Sequence, residues 1–98
     1  MARESESFFY VITYDIPADK RRNKVAKILE DHGQRVQYSV FEANLTVKQF
    51  ACLLRRLRKV IVNEEDSIRY YRLCEMCAKI IIIDGVGEVT KDPDLYFI

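Results

Sequence analysis

The segment from Phe8 to Tyr14 is dense in aromatic and β-branched residues, a composition typical of a buried strand. The strand ends at a carboxylate, Asp15, and Pro17 then breaks the pattern. A carboxylate at the end of a buried strand has a desolvation cost unless a charge or a hydrogen bond compensates it. Asp15 is therefore a helix cap, a solvated strand end or a functional residue.

Two segments after this strand have the apolar spacing of amphipathic helices. The first is predicted to start with Asp19 as its N-cap, to run to His32 and to stop at Gly33. The presence of a histidine at position 32 is explained by the favourable interaction of a cationic side chain with the C-terminus of a helix. In the second helix Thr46 and Gln49 are predicted to form a capping box. The apolar stripes are Val25, Ile28 and Leu29 in the first helix, and Phe50, Leu53, Leu54, Leu57 and Ile61 in the second.

Three further segments are predicted to be strands. Residues 35–45 form the first, with a bend or break near Tyr38 and Ser39. Residues 67–73 alternate as a strand with one wetter face, and residues 79–84 form a buried strand. The order strand, helix, strand, helix, strand, strand predicts a single α+β domain over 1–98, a ferredoxin-like sandwich with two helices on one face of a mostly antiparallel sheet.

The other face of this sheet has no helix to cover it, which predicts a homodimer. The chain ends in a C-terminal extension, 86–98, whose last four residues read "LYFI". Such an apolar end is predicted to dock as an edge strand, either on its own subunit or on the twin subunit.

Composition excludes several classes of protein. No apolar run approaches the roughly 20 residues of a membrane helix, and the N-terminus has no signal-peptide apolar region, so we expect a cytoplasmic protein without membrane contact. Cys52, Cys74 and Cys77 are too few for a disulfide framework. The "CEMC" pair could supply half of a zinc site or a redox pair, but a closed zinc site needs four ligands, and we interpret these residues as structural or incidental thiols.

Basic residues are concentrated in two groups although the formal net charge is only +1. The first group is Lys20, Arg21, Arg22, Lys24 and Lys27 with Arg35 nearby, and the second is Arg55, Arg56, Arg58 and Lys59. Each group is either an ordinary solvated helix surface or part of a stripe that binds a nucleic-acid backbone without reading its sequence.

The stretch "YDIPADKRRNKVAKILEDHGQRVQYSVFEANLT", together with "EDSIRYYRLC", resembles the CRISPR-associated protein 2 family, the small subunit of the spacer-acquisition machinery. The order and spacing of a strand ending in "YDI", a basic helix closed by glycine and an "RVQYSVFE" strand carry the resemblance. It spans residues 9–85.

The resemblance implies a symmetric homodimer in which Asp15 is the catalytic and metal-binding residue, with Mg²⁺ or Mn²⁺ held between two copies. By position it implies that Arg22, Lys24 and Arg35 bind nucleic acid and that Ser39 and Phe41 lie near the site. We add Lys20 and Arg21 of the same basic cluster to the predicted nucleic-acid-binding residues, and Tyr14 to those near the site. The expected activity is metal-dependent cleavage of RNA or DNA phosphodiesters. The expected partners are double-stranded DNA, single-stranded RNA and the CRISPR integrase, CRISPR-associated protein 1. A non-catalytic DNA-binding adaptor and, more distantly, a toxin-type ribonuclease are alternatives that Asp15 fits equally.

Overall fold

The computed structural model describes residues 6–74, which form two helices and four strands. In chain order these are β1 Ser7–Asp15, α1 Asp19–Glu30, β2 Gln34–Gln37, β3 Val40–Thr46, α2 Val47–Arg58 and β4 Ser67–Leu73. Neither helix is long and apolar enough to cross a membrane. The strand predicted at 79–84, the extension at 86–98 and Cys77 lie outside the described residues.

The four strands form one antiparallel sheet in the order β2-β3-β1-β4. With one helix between β1 and β2 and another between β3 and β4, this order is that of the ferredoxin-like sandwich. The predicted fold class is confirmed. The central strand, β1, pairs along most of its length with both neighbours, so that Thr13 lies between Val40 of β3 and Arg69 of β4.

The core lies between the helices and one face of the sheet. Alternate side chains of β1 point toward the helices, where Tyr10, Ile12 and Tyr14 are buried. The Tyr10 ring stacks on Phe50 of α2, with the ring centroids 4.3 Å apart. The other buried residues of this core include Val25, Ala26 and Leu29 of α1, Phe41, Ala43 and Leu45 of β3, and Leu53 and Leu57 of α2. Each large side chain contributes roughly 1.5–3 kcal/mol before the cost of ordering it is subtracted.

The two helices begin differently. The predicted capping box of α2 is confirmed. The backbone N–H of Gln49 donates to the Thr46 hydroxyl oxygen at 3.2 Å, and the backbone N–H of Thr46 donates to the side-chain oxygen of Gln49 at 2.9 Å. The prediction that Asp19 caps α1 is wrong, because Ala18 occupies the N-cap and Asp19 is the first helical residue. Its carboxylate pairs with Arg22 instead.

A turn at Tyr38 and Ser39 divides the segment predicted as one bent or broken strand into β2 and β3. The end of β1 anchors this turn: the Tyr14 amide donates to the Ser39 carbonyl at 3.1 Å, and the Tyr14 hydroxyl donates to the Tyr38 carbonyl at 3.3 Å. Phe41 is completely buried, whereas Tyr38 is 77% exposed. The turn is therefore held against the strand that carries Asp15.

Gly33 lies where the chain leaves α1 and approaches β3. Its amide donates to the Leu29 carbonyl at 2.8 Å, which caps the helix after its last residue, Glu30. A Cβ at this position would lie 2.7 Å from the Cβ of Ala43 and would also meet the backbone carbonyl of Glu42. Glycine is required here by the closeness of two backbone segments.

We predict that Gly33→Ala lowers the free energy of unfolding by roughly 1–3 kcal/mol, the usual cost of inserting a methyl group into a filled space. Urea denaturation followed by circular dichroism measures this cost. Asn23→Ala, at an exposed position of α1, is the control and should leave the midpoint nearly unchanged. A Gly33→Ala midpoint equal to that of the control would contradict the prediction.

Candidate functional site

The site is built on the sheet face that α1 and α2 do not cover. In β1 this face carries Thr13 and Asp15, which alternate with the core residues. The register places Thr13 opposite Arg69 and Asp15 opposite Ser67 at the beginning of β4. Polar and charged side chains of two adjacent strands are thus brought to one end of the sheet.

These side chains line a groove of about 290 Å³. Its lining residues are Thr13, Tyr14, Asp15, Ser67, Arg69 and Tyr71. Asp15 is exposed, whereas its neighbours in sequence, Tyr14 and Ile16, are buried on the helix side. The groove therefore combines an accessible carboxylate, a guanidinium group and several hydroxyl groups.

Asp15 has the chemistry of a ligand for a hard divalent cation. Mg²⁺ binds through oxygen atoms, usually one or two carboxylates, and keeps several of its waters. Asp15 is the one carboxylate that lines the groove, and within residues 6–74 no three His, Cys, Asp or Glu side chains come together as a ligand set. One chain thus fits a weakly held, largely hydrated ion, and a second copy would supply a second carboxylate.

Arg22 is bound to the connection between β1 and α1. One of its Nη atoms donates to the Ile16 carbonyl at 3.0 Å and the other pairs with the Asp19 carboxylate. The hydrogen bond that Arg22 donates to Asp19 is the main reason that the pKa of Arg22 is raised. The side chain stays about a quarter exposed, and Arg22 is not among the residues that line the groove with Asp15.

Arg21 lies in the centre of an ion-pair network instead. Its Nε and Nη2 atoms donate to the two oxygens of Asp66 at 2.8 and 3.1 Å, and Nη2 also donates to Glu65 at 3.1 Å. The Asp66 side chain is fully buried and also accepts a hydrogen bond from the Val62 amide at 2.8 Å. The hydrogen bond from Arg21 lowers the pKa of Asp66. Arg21 therefore links α1 to the loop before β4.

The remaining predicted cations of the first group are exposed. Lys20, Lys24 and Lys27 lie on the surface of α1. Arg35, on β2, places its guanidinium carbon 5.3 Å from the centroid of the Phe41 ring. Because Phe41 is buried beneath Arg35, it orients this cation and is not available to stack on a base.

His32 is not the helix-terminal cation that the sequence suggested. Its Nε2 atom lies 3.0 Å from an Nη atom of Arg56, whose other Nη donates to Asp31 at 3.0 Å. Burial lowers the pKa of His32, the Arg56 charge lowers it further, and Asp31 partly opposes them. The neutral imidazole that results accepts a hydrogen bond from Arg56 and links the end of α1 to α2.

The comparisons with known proteins agree with this architecture. The model of the family described as CRISPR associated protein Cas2 matches residues 8–80. The chain belongs to the Cas2 family. The predicted resemblance is therefore confirmed over most of the chain.

Individual Cas2 relatives match nearly all of the chain. The CRISPR-associated endoribonuclease Cas2 3 of Synechocystis is 51% identical over 86 residues, which are 88% of this chain and 94% of that protein. The crystal structure of Streptococcus pyogenes Cas2 at pH 6.5 has a TM-score of 0.70 and 36% identity, covering 79% of this chain and 99% of that one. A chain of a partial Cas6-RT-Cas1–Cas2 complex has a TM-score of 0.62 and 32% identity, covering 78% and 89%.

Sequence reasoning did not nominate Thr13, Ser67, Arg69 or Tyr71, although all four line the groove with Asp15. The signal was present in the alternation of "SIRYYRL", which places Ser67, Arg69 and Tyr71 on one face. What the sequence lacked was the pairing of β4 with β1, since that pairing alone brings this face beside Asp15. In this Cas2 chain, more polar side chains therefore lie near Asp15 than the sequence motif around Asp15 reveals.

The first prediction from this site separates two neighbouring cations of α1. Arg21→Ala should lower the melting temperature clearly, because it leaves the buried Asp66 carboxylate without its guanidinium partner. Lys24→Ala should leave the melting temperature unchanged, because Lys24 is exposed and no described contact depends on it. Thermal unfolding at pH 7 measures both variants, and equal melting temperatures would contradict the assignment of Arg21 to structure.

The second prediction concerns pH. His32 has its ordinary pKa, near 6.5, in the unfolded chain and a lower pKa in the folded protein, so the unfolded state takes up a proton first as the pH falls. The His32 contribution to stability is therefore complete above about pH 6.5 and is lost as the pH falls through the folded pKa. Urea midpoints measured between pH 8 and pH 5 should fall toward the acidic end. His32→Gln should reduce that fall; a variant that falls as steeply would show that another group titrates.

Proposed function

We propose that this protein is a homodimeric, nucleic-acid-binding subunit of the CRISPR adaptation machinery, with metal-dependent endonuclease activity at Asp15. The observation that carries the proposal is the exposed Asp15 carboxylate in an open groove, on the sheet face that no described helix covers. The name of the Synechocystis relative, an endoribonuclease, supports cleavage of RNA. The partial complex that contains both Cas1 and Cas2 supports assembly with the integrase.

The dimer follows from the open sheet face. Val11, Thr13 and Tyr71 lie on this face, which no helix within residues 6–74 covers; Val11 and Thr13 are half-buried, and Tyr71 is 46% exposed. A twofold axis through this face would bring the two Asp15 carboxylates toward each other, because an isologous interface places equal residues about the axis. Two nearby carboxylates repel each other, and a Mg²⁺ or Mn²⁺ ion between them would remove the repulsion.

The bound ion would supply one kind of chemistry, namely the orientation of water and the neutralisation of charge at a phosphodiester. Side chains of the protein would bind the ion and the nucleic acid. Asp15 provides the carboxylate, while Arg22, Lys24 and Arg35 attract and orient the nucleic-acid backbone. His32, the only histidine of the chain, is bound to Arg56 and does not line the groove, so no imidazole serves as a general base there. Hydrolysis would accordingly be slow.

The expected ligands are a single-stranded RNA at the groove and a DNA duplex along the basic helix surfaces. Arg55, Arg58 and Lys59 of the second group are exposed, as are the lysines of α1, whereas Arg56 is engaged by His32 and Asp31. Contacts of this kind are made to phosphates and carry no base information, so binding would depend on salt and hardly on sequence. We place this activity in the cytoplasm.

A non-catalytic adaptor is the second candidate. One observation favours it: a groove with one carboxylate per chain is a small catalytic apparatus, even when a dimer doubles it. In such an adaptor the open face and the basic surfaces would hold DNA and Cas1 together without cleavage.

We expect Mg²⁺- or Mn²⁺-dependent cleavage of a labelled single-stranded RNA that EDTA stops and that Asp15→Asn reduces to the EDTA level. The amide keeps the size of the side chain but lacks the charge that binds the ion. Glu64→Gln, an exposed acid in the loop before β4 that does not line the groove, is the matched control and should cut like the natural protein.

Sedimentation of both variants shows whether they keep the oligomeric state of the natural protein. Cleavage that persists in Asp15→Asn would refute the catalytic assignment. Tight binding of DNA or Cas1 with no cleavage under any of these conditions would favour the adaptor.

A further inference from the structure

Arg69 is the cation that lines the groove together with Asp15. It lies on β4 opposite Thr13, two residues from Ser67, which is the pairing partner of Asp15. Side chains alternate along a strand, so Ser67, Arg69 and Tyr71 share the face on which Asp15 lies. Arg69 and Asp15 line the same groove.

Arg69 also differs from three other arginines of the domain. Arg21, Arg22 and Arg56 are each paired with a carboxylate, at Asp66, Asp19 and Asp31 respectively. Within residues 6–74 no carboxylate pairs with Arg69, and one of its Nη atoms donates to the Tyr71 hydroxyl at 3.4 Å. A guanidinium group has five N–H donors in a planar fork. Most of its donors are therefore available in the groove, while Tyr71 limits the orientations of the side chain.

A carboxylate alone is a poor neighbour for a phosphodiester, since both groups are negatively charged. An arginine in the same groove offsets this repulsion, and its fork matches two oxygens of a phosphate. The hydroxyl groups of Thr13, Ser67 and Tyr71 add uncharged donors around the same space.

We propose that Arg69 binds the phosphate group of the phosphodiester that is presented to Asp15, and that Tyr71 positions Arg69 for this contact. The proposal rests on the proposed function, because it assigns a second residue to the same groove. It makes the ligand of the groove a nucleic-acid phosphate, with Asp15 and Arg69 on either side of it.

The test compares Arg69→Ala, Arg69→Lys and Tyr71→Phe with Arg72→Ala as the matched control. Arg72 belongs to the same strand and carries the same charge, but it points to the helix side, with its guanidinium carbon 4.4 Å from the centroid of the Phe8 ring. Binding of a fluorescein-labelled single-stranded RNA is measured in EDTA over a range of salt concentrations, so that no cleavage occurs. Cleavage of the same RNA is then measured with Mg²⁺, and melting curves and sedimentation accompany every variant.

Arg69→Ala should weaken binding and lower kcat/KM by roughly 10- to 100-fold, the usual effect of losing a hydrogen bond to a charged group. Its salt slope should fall by about 0.7 for the one lost phosphate contact on a single strand. Arg69→Lys should retain the slope but only part of the cleavage rate, because lysine keeps the charge without the fork. Tyr71→Phe should give a smaller loss than Arg69→Ala, and Arg72→Ala should bind and cut like the natural protein.

Each other result has a defined meaning. Natural protein that cuts through Asp15 while Arg69→Ala binds and cuts equally well would overturn this inference and leave the proposed function intact. An Arg69→Ala variant that dissociates to monomers where the natural protein is a dimer would also overturn it, because Arg69 would then bind a carboxylate of the second copy. Binding without cleavage in the natural protein, lost in Arg69→Ala, would support the phosphate contact and overturn only the nuclease. A natural protein that neither binds nor cuts RNA would overturn both.

Discussion

The pairing of β1 with both β3 and β4 determines where the side chains of the groove lie. Side chains of a strand alternate between two faces, so the register that buries Tyr10, Ile12 and Tyr14 necessarily places Thr13 and Asp15 on the opposite face. A slip by one residue would bury Asp15 among apolar side chains and expose the aromatic rings. The same hydrophobic packing that stabilises the fold thus keeps the carboxylate accessible.

The arginines of the domain serve two purposes that their sequence positions do not distinguish. Arg21 and Arg56 are bound to acidic partners and connect elements that are distant in the chain, namely α1 with the loop before β4 and α2 with the end of α1. Arg35 and Arg69 have no such acidic partner among residues 6–74 and lie where a phosphate could reach them. A cluster of basic residues in a sequence is therefore not equivalent to a basic surface, because part of the charge is neutralised within the fold.

The sequence was sufficient for those features that depend on local patterns. The order of elements, the capping box of Thr46 and Gln49 and the break after β2 all follow from spacing and side-chain type. It was insufficient where two distant segments meet. Arg21 and Lys20 look alike in the sequence, yet only Arg21 reaches Asp66, which is 45 residues away. The pKa of His32 is likewise lowered by burial and then by the charge of Arg56 of α2, and periodicity reveals neither of these effects.

The form of β2 has a consequence for behaviour at high protein concentration. Among the strands within residues 6–74, β2 is an edge strand; it is only four residues long and is exposed throughout. Its register with β3 shifts between Arg35 and Gln37, which interrupts the regular row of backbone donors and acceptors. Edge strands that are short, charged and irregular are poor templates for pairing with strands of other molecules. The domain can therefore present its open sheet face to a partner, while the edge formed by β2 does not promote β-aggregation.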